Sequence, residues 1–217
     1  MASLNVFVSR GIRFGSVASV IAASVALAGC AGGAPADPGT SSPAASESTS
    51  PSASPSPTPT PSAVYKPADA SGPAQNVPVP VLPEVAKTET KEGLEAFVRY
   101  WYEVLDYAYE TGDSQILGTL SEASCVFCSG LREGVAEAWA EGRWISGGKI
   151  ETPAITATVG HGAQSYAVVQ VLQQVIEIRN PDGSLHQAPT AATNTGSRAA
   201  ASFNGTGWIM TDLGLIR

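Results

Sequence analysis

The chain has 217 residues, 12 basic against 19 acidic for a formal net charge of −7, and an apolar fraction of 43% that is ample for one folded core. With no run of Lys and Arg, it lacks the basic face that nucleic acid or anionic headgroups require, so no nucleic-acid partner is expected. Three cysteines and two histidines leave little material for a metal centre.

Residues 1–29 read as an export signal. Arg10 and Arg13 supply a positive start, and the uncharged stretch Phe14 to Ala26 has secretory length but is short and Ala/Ser-rich for a permanent membrane span. Leu27-Ala28-Gly29-Cys30 resembles the bacterial lipobox, in which the cysteine is diacylated and becomes the mature N-terminus. That resemblance makes Cys30 the lipid-attachment residue and the bilayer the first partner, on the outer face of the cytoplasmic membrane. Each buried CH₂ contributes about 0.8 kcal/mol, so two acyl chains hold where one is reversible. Loss of the signal removes two of the 12 basic residues, leaving 10 against 19 acidic and a net charge of −9.

Residues 30–63 are almost wholly Ala, Gly, Ser, Thr and Pro. They carry nothing bulky to bury, so ordering entropy goes uncompensated, and the proline density favours an extended tether. At about 3.1 Å per residue its reach is on the order of 100 Å.

Residues 64–217 have the composition of one domain. The stretch Gly72 to Glu84, with Val-Pro alternation, forbids helix and reads as an extended arm, and Val77, Val79, Val81 and Leu82 suggest that it lies on the domain. A helix is expected from Thr90 to Tyr109, with Leu94, Phe97, Val98, Trp101, Leu105 and Ala108 at spacings of three and four. Glu92, Glu95, Arg99, Glu103, Asp106 and Glu110 form a second stripe, read as a solvated face. Thr111-Gly112 ends this helix; Asp113 caps a short second one, with Ile116, Leu117 and Leu120 inward. A third helix is expected from Ser124 to Glu141, with Cys128, Leu131, Val135, Ala138 and Trp139 on one face and Gly142 as its stop.

From Trp144 the pattern turns to strands: Lys149 to Val159 with Pro153 at an edge or bulge, Gln164 to Arg179, Ser184 to Gln187, Arg198 to Phe203, and Trp208 to Leu213. Helices followed by an antiparallel meander indicate an α+β fold, N-terminal helices packed on a curved antiparallel sheet. Their order resembles the nuclear-transport-factor-2-like cone, a fold that hosts enzymes and inert binding modules alike.

Three chemistries compete for Cys125 and Cys128. A thioredoxin-like C-x-x-C opens a helix after a parallel strand, usually behind a Trp, whereas here helix and loop precede it and Ser124 takes the Trp position. Zinc would need His161 and His186, yet neither completes a ligand spacing. Export to an oxidising compartment and the even pair left once Cys30 is lipidated favour a disulfide, a small staple of roughly 2 kcal/mol.

The stretches Tyr65 to Glu84, Glu92 to Asp113 and Leu120 to Cys128 together resemble an uncharacterised family of actinobacterial lipoproteins with lipobox, Ser/Pro/Thr tether, Asn-Val-Pro-Val-Pro arm and C-x-x-C. Its function is unknown, so the resemblance implies location and architecture and no catalytic residue or cofactor. Within the cone a pocket lined by Trp101, Tyr102, Trp139 and Tyr166, with Asp106 or His161 as base, is one reading; the same aromatics as plain core is the other. The leading expectation is a non-catalytic envelope module that binds an envelope protein or a small ligand. An enzyme of isomerase, dehydratase or hydrolase type and a thiol-disulfide protein are the alternatives.

Overall fold

Helix α1 (Lys91–Thr111) organises everything that follows. The Thr90 hydroxyl accepts the Gly93 N–H at 3.0 Å and starts it. Gly112, at φ 76°, ends it in the left-handed conformation, where a Cβ would meet the Trp139 ring at 2.8 Å. The computed structural model describes residues 64–160 and 164–216, so the export signal, Cys30, the tether and His161 lie outside the described residues. All six residues of the predicted apolar stripe are buried, joined by Tyr102, Val104 and Tyr109.

Helix α2 (Gln115–Thr119) follows at once, its first N–H taken by Asp113 Oδ1 at 2.9 Å, and buries Leu117. Helix α3 (Val126–Ala138) is shorter than its pattern predicts. Cys125 caps its start, and after Trp139 the chain tightens into a 3₁₀ turn (Ala140–Gly142), with Glu141 and Gly142 both at positive φ.

Six strands complete the α+β fold: β1 (Trp144–Gly147), β2 (Ile150–Thr158), β3 (Ser165–Gln173), β4 (Ile176–Arg179), β5 (Thr193–Phe203) and β6 (Trp208–Leu215). All pairings are antiparallel; β2-β3-β5-β6 form one sheet and β1-β4 a second. Strands β1 and β2 on one side and β3 and β4 on the other are the arms of one long hairpin bent in the middle. Gly148 N–H bonds Val175 O at 2.8 Å and Gln174 N–H bonds Lys149 O at 2.9 Å across the bend. Gly147, at φ 73°, makes the bend possible, since a Cβ there would stand 2.4 Å from the Val175 carbonyl oxygen.

The bend divides the predicted strand Gln164–Arg179 into β3 and β4. Pro153 sits at a register shift on edge strand β2, where its missing N–H costs no ladder bond. Ser184–Gln187 is not a strand: a single bridge joins Leu185 to Arg179 before the loop leaves. Strand β5 starts at Thr193, five residues before its predicted start, because cross-strand pairing with β3 carries the Thr/Asn/Gly stretch that propensity disfavours.

The helices lie on one face of the larger sheet, α1 against β2 and β3 and α3 against β6. Inward residues Ala167, Val169, Ala199, Ala201, Met210 and Leu213 meet Leu94, Phe97 and Trp101 there. Just ahead of the arm a short hairpin forms, Lys66 pairing with Gln75 at 3.0 and 2.8 Å, pinned by Tyr65 Oη donating to Glu110 at 2.8 Å and Trp144 Nε1 donating to Asp69 O at 3.0 Å. Of the arm's own four apolar residues only Leu82 packs on the core; Val79 and Val81 are exposed.

Candidate binding face

The residues grouped as a pocket in the sequence do not line a common space. Trp101 is wholly buried, its ring edge-on to Tyr102 at 5.2 Å and its Nε1 donating to Ser121 Oγ at 2.9 Å. Tyr102 is buried, and desolvation pushes its pKa up to about 12, partly opposed by the neighbouring Ser197. Trp139 lies half-buried over Gly112 and donates to Tyr109 O at 3.1 Å. These aromatics are core. Tyr166 is on the other side of the sheet, because it follows the inward-facing Ser165 and precedes the inward-facing Ala167. There its ring carries the Arg198 guanidinium at 4.5 Å.

Asp106 departs from the solvated stripe. It is buried, accepting the Ile150 N–H through Oδ1 at 2.9 Å and Lys149 Nζ through Oδ2 at 2.5 Å. The hydrogen bond to Asp106 is the main reason the Lys149 pKa rises, partly opposed by desolvation. Two further members of the stripe also bond β2: Ala157 N–H donates to Glu95 Oε1 at 3.0 Å and Arg99 Nη1 donates to Thr152 O at 2.9 Å. Residues 95, 99 and 106 fall on one helical face, and the groups they reach point away from β3. The charged side of α1 therefore takes the place of a further strand and closes the β2 edge. Periodicity distinguishes a polar face from an apolar one, but it cannot tell water from an unpaired strand edge. The role of Lys149 depends on the Gly147 bend, for which the pattern carries no signal.

Cys125 and Cys128 form a disulfide, their Cα atoms 5.3 Å apart and both residues buried. Cys125 Sγ accepts the Cys128 N–H at 3.3 Å as the cap of α3. Just before it, Leu120 O and the Glu122 N–H bond both backbone groups of Met210 on β6 at 2.9 and 2.8 Å. The staple thus fixes the α3 start to a segment that pairs the far edge of the sheet.

The sheet face turned away from the helices is uncovered among the described residues. It holds a hollow of about 280 Å³ lined by Ala154 and Thr156 of β2, Val168 and Gln170 of β3, and Asn194 and Gly196 of β5. None of the lining residues is charged. Gln170 Nε2 donates to Asn194 Oδ1 at 3.1 Å, and Val168 is 43% exposed. Charges stand to the side on the same face: Arg198 opposite Val168, Glu151 opposite Leu172, and Asp212 opposite Ala200. This face escaped sequence reading because Thr, Gly, Asn and Gln on a strand signal only an outward side.

Residues 63–214 match a family described as a family of unknown function, DUF6318. The chain belongs to DUF6318. The match takes in the arm, all three helices and the strands through most of β6 of this DUF6318 domain. No curated protein matches the chain. Fourteen chains of solved structures do, among them the crystal structure of the intermembrane space region of the chloroplast protein ARC6. It is 13% identical over 58% of this chain and 96% of that one, with a TM-score of 0.43.

Among the described residues no helix is long and apolar enough to cross a membrane, and no group of three or more His, Cys, Asp or Glu could hold a metal ion.

Proposed function

We propose that this DUF6318 chain is a non-catalytic binding module of the cell envelope, held on the outer face of the cytoplasmic membrane by an acylated Cys30 and lifted from it by residues 31–63. In this reading it is an actinobacterial lipoprotein, and its bent sheet under a long helix and two shorter ones is a cone of the nuclear-transport-factor-2-like kind. Its partner, an envelope protein or a small ligand, docks on the open sheet face.

The observation that carries the non-catalytic part is the filling of the space between α1 and the sheet. Phe97, Trp101, Leu94 and Met210 leave it no exposed wall, so the place where a cone enzyme would hold substrate is core. Asp106, the carboxylate best placed for a base, has both oxygens committed to Ile150 and Lys149 and acts as a fastener. The buried disulfide speaks for a structural bond over a redox couple, since exchange needs an accessible sulfur.

Fractionation of cells producing the full chain tests the anchor: wild type stays with the membrane and Cys30→Ala is recovered as soluble folded protein. Membrane retention of Cys30→Ala would sink the lipid-anchor reading. A photo-crosslinker at Val168 tests the face, with a crosslinked envelope component expected there and none from the same group at Val126, exposed on α3.

A further inference from the structure

We infer that the hollow on the open sheet face is a site for a neutral polyhydroxylated ligand, an uncharged glycan segment, an inference that rests on reading this face as the binding face. The floor is apolar and small: Ala154, Val168 and Gly196 give a shallow surface on which the C–H face of a sugar ring can lie. Ile216 closes one side, its Cβ 3.5 Å from where a Gly196 Cβ would be.

Above that floor the polar groups are uncharged and offer donors and acceptors side by side. The Gln170–Asn194 amide pair uses one N–H and one carbonyl lone pair, leaving an amide NH₂ and a carbonyl oxygen to spare. Exchanging O and N in both amides only swaps which residue supplies which. Adjacent hydroxyls of a sugar match that pair, one accepting from the amide N–H and the other donating to the carbonyl, and the Thr156 hydroxyl adds either role.

Charge sharpens the match. No lining residue ionises, and the charges on this face stand outside the hollow. The nearest charge, Arg198 across from Val168, holds its guanidinium over the Tyr166 ring on the side away from Gln170 and Gly196. A charged ligand would therefore lose hydration with no opposite charge inside the hollow, whereas a neutral polyol exchanges water hydrogen bonds for amide and hydroxyl ones. Selection for neutrality is therefore built into the lining.

The full chain, extracted in neutral detergent and immobilised, is probed with maltohexaose, cellohexaose and mannohexaose, and with oligogalacturonate as the charged counterpart. At least one neutral oligomer binds, and the charged one binds at least about tenfold more weakly. Gly196→Val fills the floor and Asn194→Ala removes half the amide pair; each weakens binding at least about tenfold, while Thr158→Ala, on the same face of β2 but outside the hollow, does not. At position 196 a new Cβ makes only ordinary contact, so Gly196→Val melts no lower than wild type and loss of binding is not loss of fold. Failure of all three neutral oligomers, preference for the charged one, or unchanged binding in Gly196→Val overturns the inference. If the sugars fail while the Val168 crosslink to an envelope protein persists, the ligand class falls and the binding face stands; if the crosslink fails as well, both fall.

Discussion

The two sides of the four-stranded sheet are built from opposite materials. The covered side carries apolar residues and, at its β2 edge, the charged groups of α1; the open side carries Thr, Val, Gly, Gln and Asn, with an uncharged hollow at its centre. On the covered side every distinctive polar group is consumed in holding the domain together. On the open side the amides and hydroxyls keep unpaired capacity. The titratable residues of α1 that look like a site in the sequence instead fasten a helix to a strand edge.

The largest effect that should break this contrast comes from the covered side. Trp101→Ala removes the largest fully buried side chain and the indole donor to Ser121 Oγ, lowering stability by about 4 kcal/mol in a denaturant titration. Next is Asp106. Asp106→Ala leaves the Ile150 N–H without an acceptor and Lys149 without its partner, a loss of about 2 kcal/mol, whereas Asp106→Asn keeps an acceptor for Ile150 and loses about half that. Equal losses in the two variants would show that the Ile150 bond is not what Asp106 supplies.

Alkaline titration sharpens the same point. Tyr65 and Tyr102 are both raised from 10.0 to about 12, chiefly by burial, and Lys149 is raised by its bond to Asp106. Each keeps its proton in the folded protein after the unfolded chain has lost it. Stability from these groups is thus fully present below pH 10 and declines as pH rises from 10 towards 12. Melting temperature followed across that range should be level and then fall; a rise would reverse the assignment. The smallest effect belongs to the open side, where Val168→Lys should change stability by no more than about 0.5 kcal/mol while abolishing docking on that face.

Much of the local structure was legible in the chain. The apolar stripe of α1, its Thr90 and Gly112 ends and the Pro153 irregularity depend on spacing or capping, which act over a few residues, and the favoured Cys125–Cys128 pairing is the one formed. The extent of β5 was not legible, because Thr193 to Ser197 is held by partners on β3 from Gln173 back to Val169, 20 to 28 residues earlier. The extended arm was legible from its prolines, but the hairpin before it was not, because Glu110 and Trp144, which pin that hairpin, are both distant in sequence.

By itself the sequence determined the apolar stripe of α1, that the helices precede an antiparallel sheet, and that a disulfide was the favoured state of the cysteines near α3. The first two rest on periodicity, the third on the even cysteine pair. Only the tertiary structure decided that Asp106 is a fastener, that Tyr166 faces away from Trp101, and that a neutral hollow lies on the uncovered side. Each depends on which strand lies beside which, and a strand's outward residues look alike in sequence whether they meet water, a helix or a ligand.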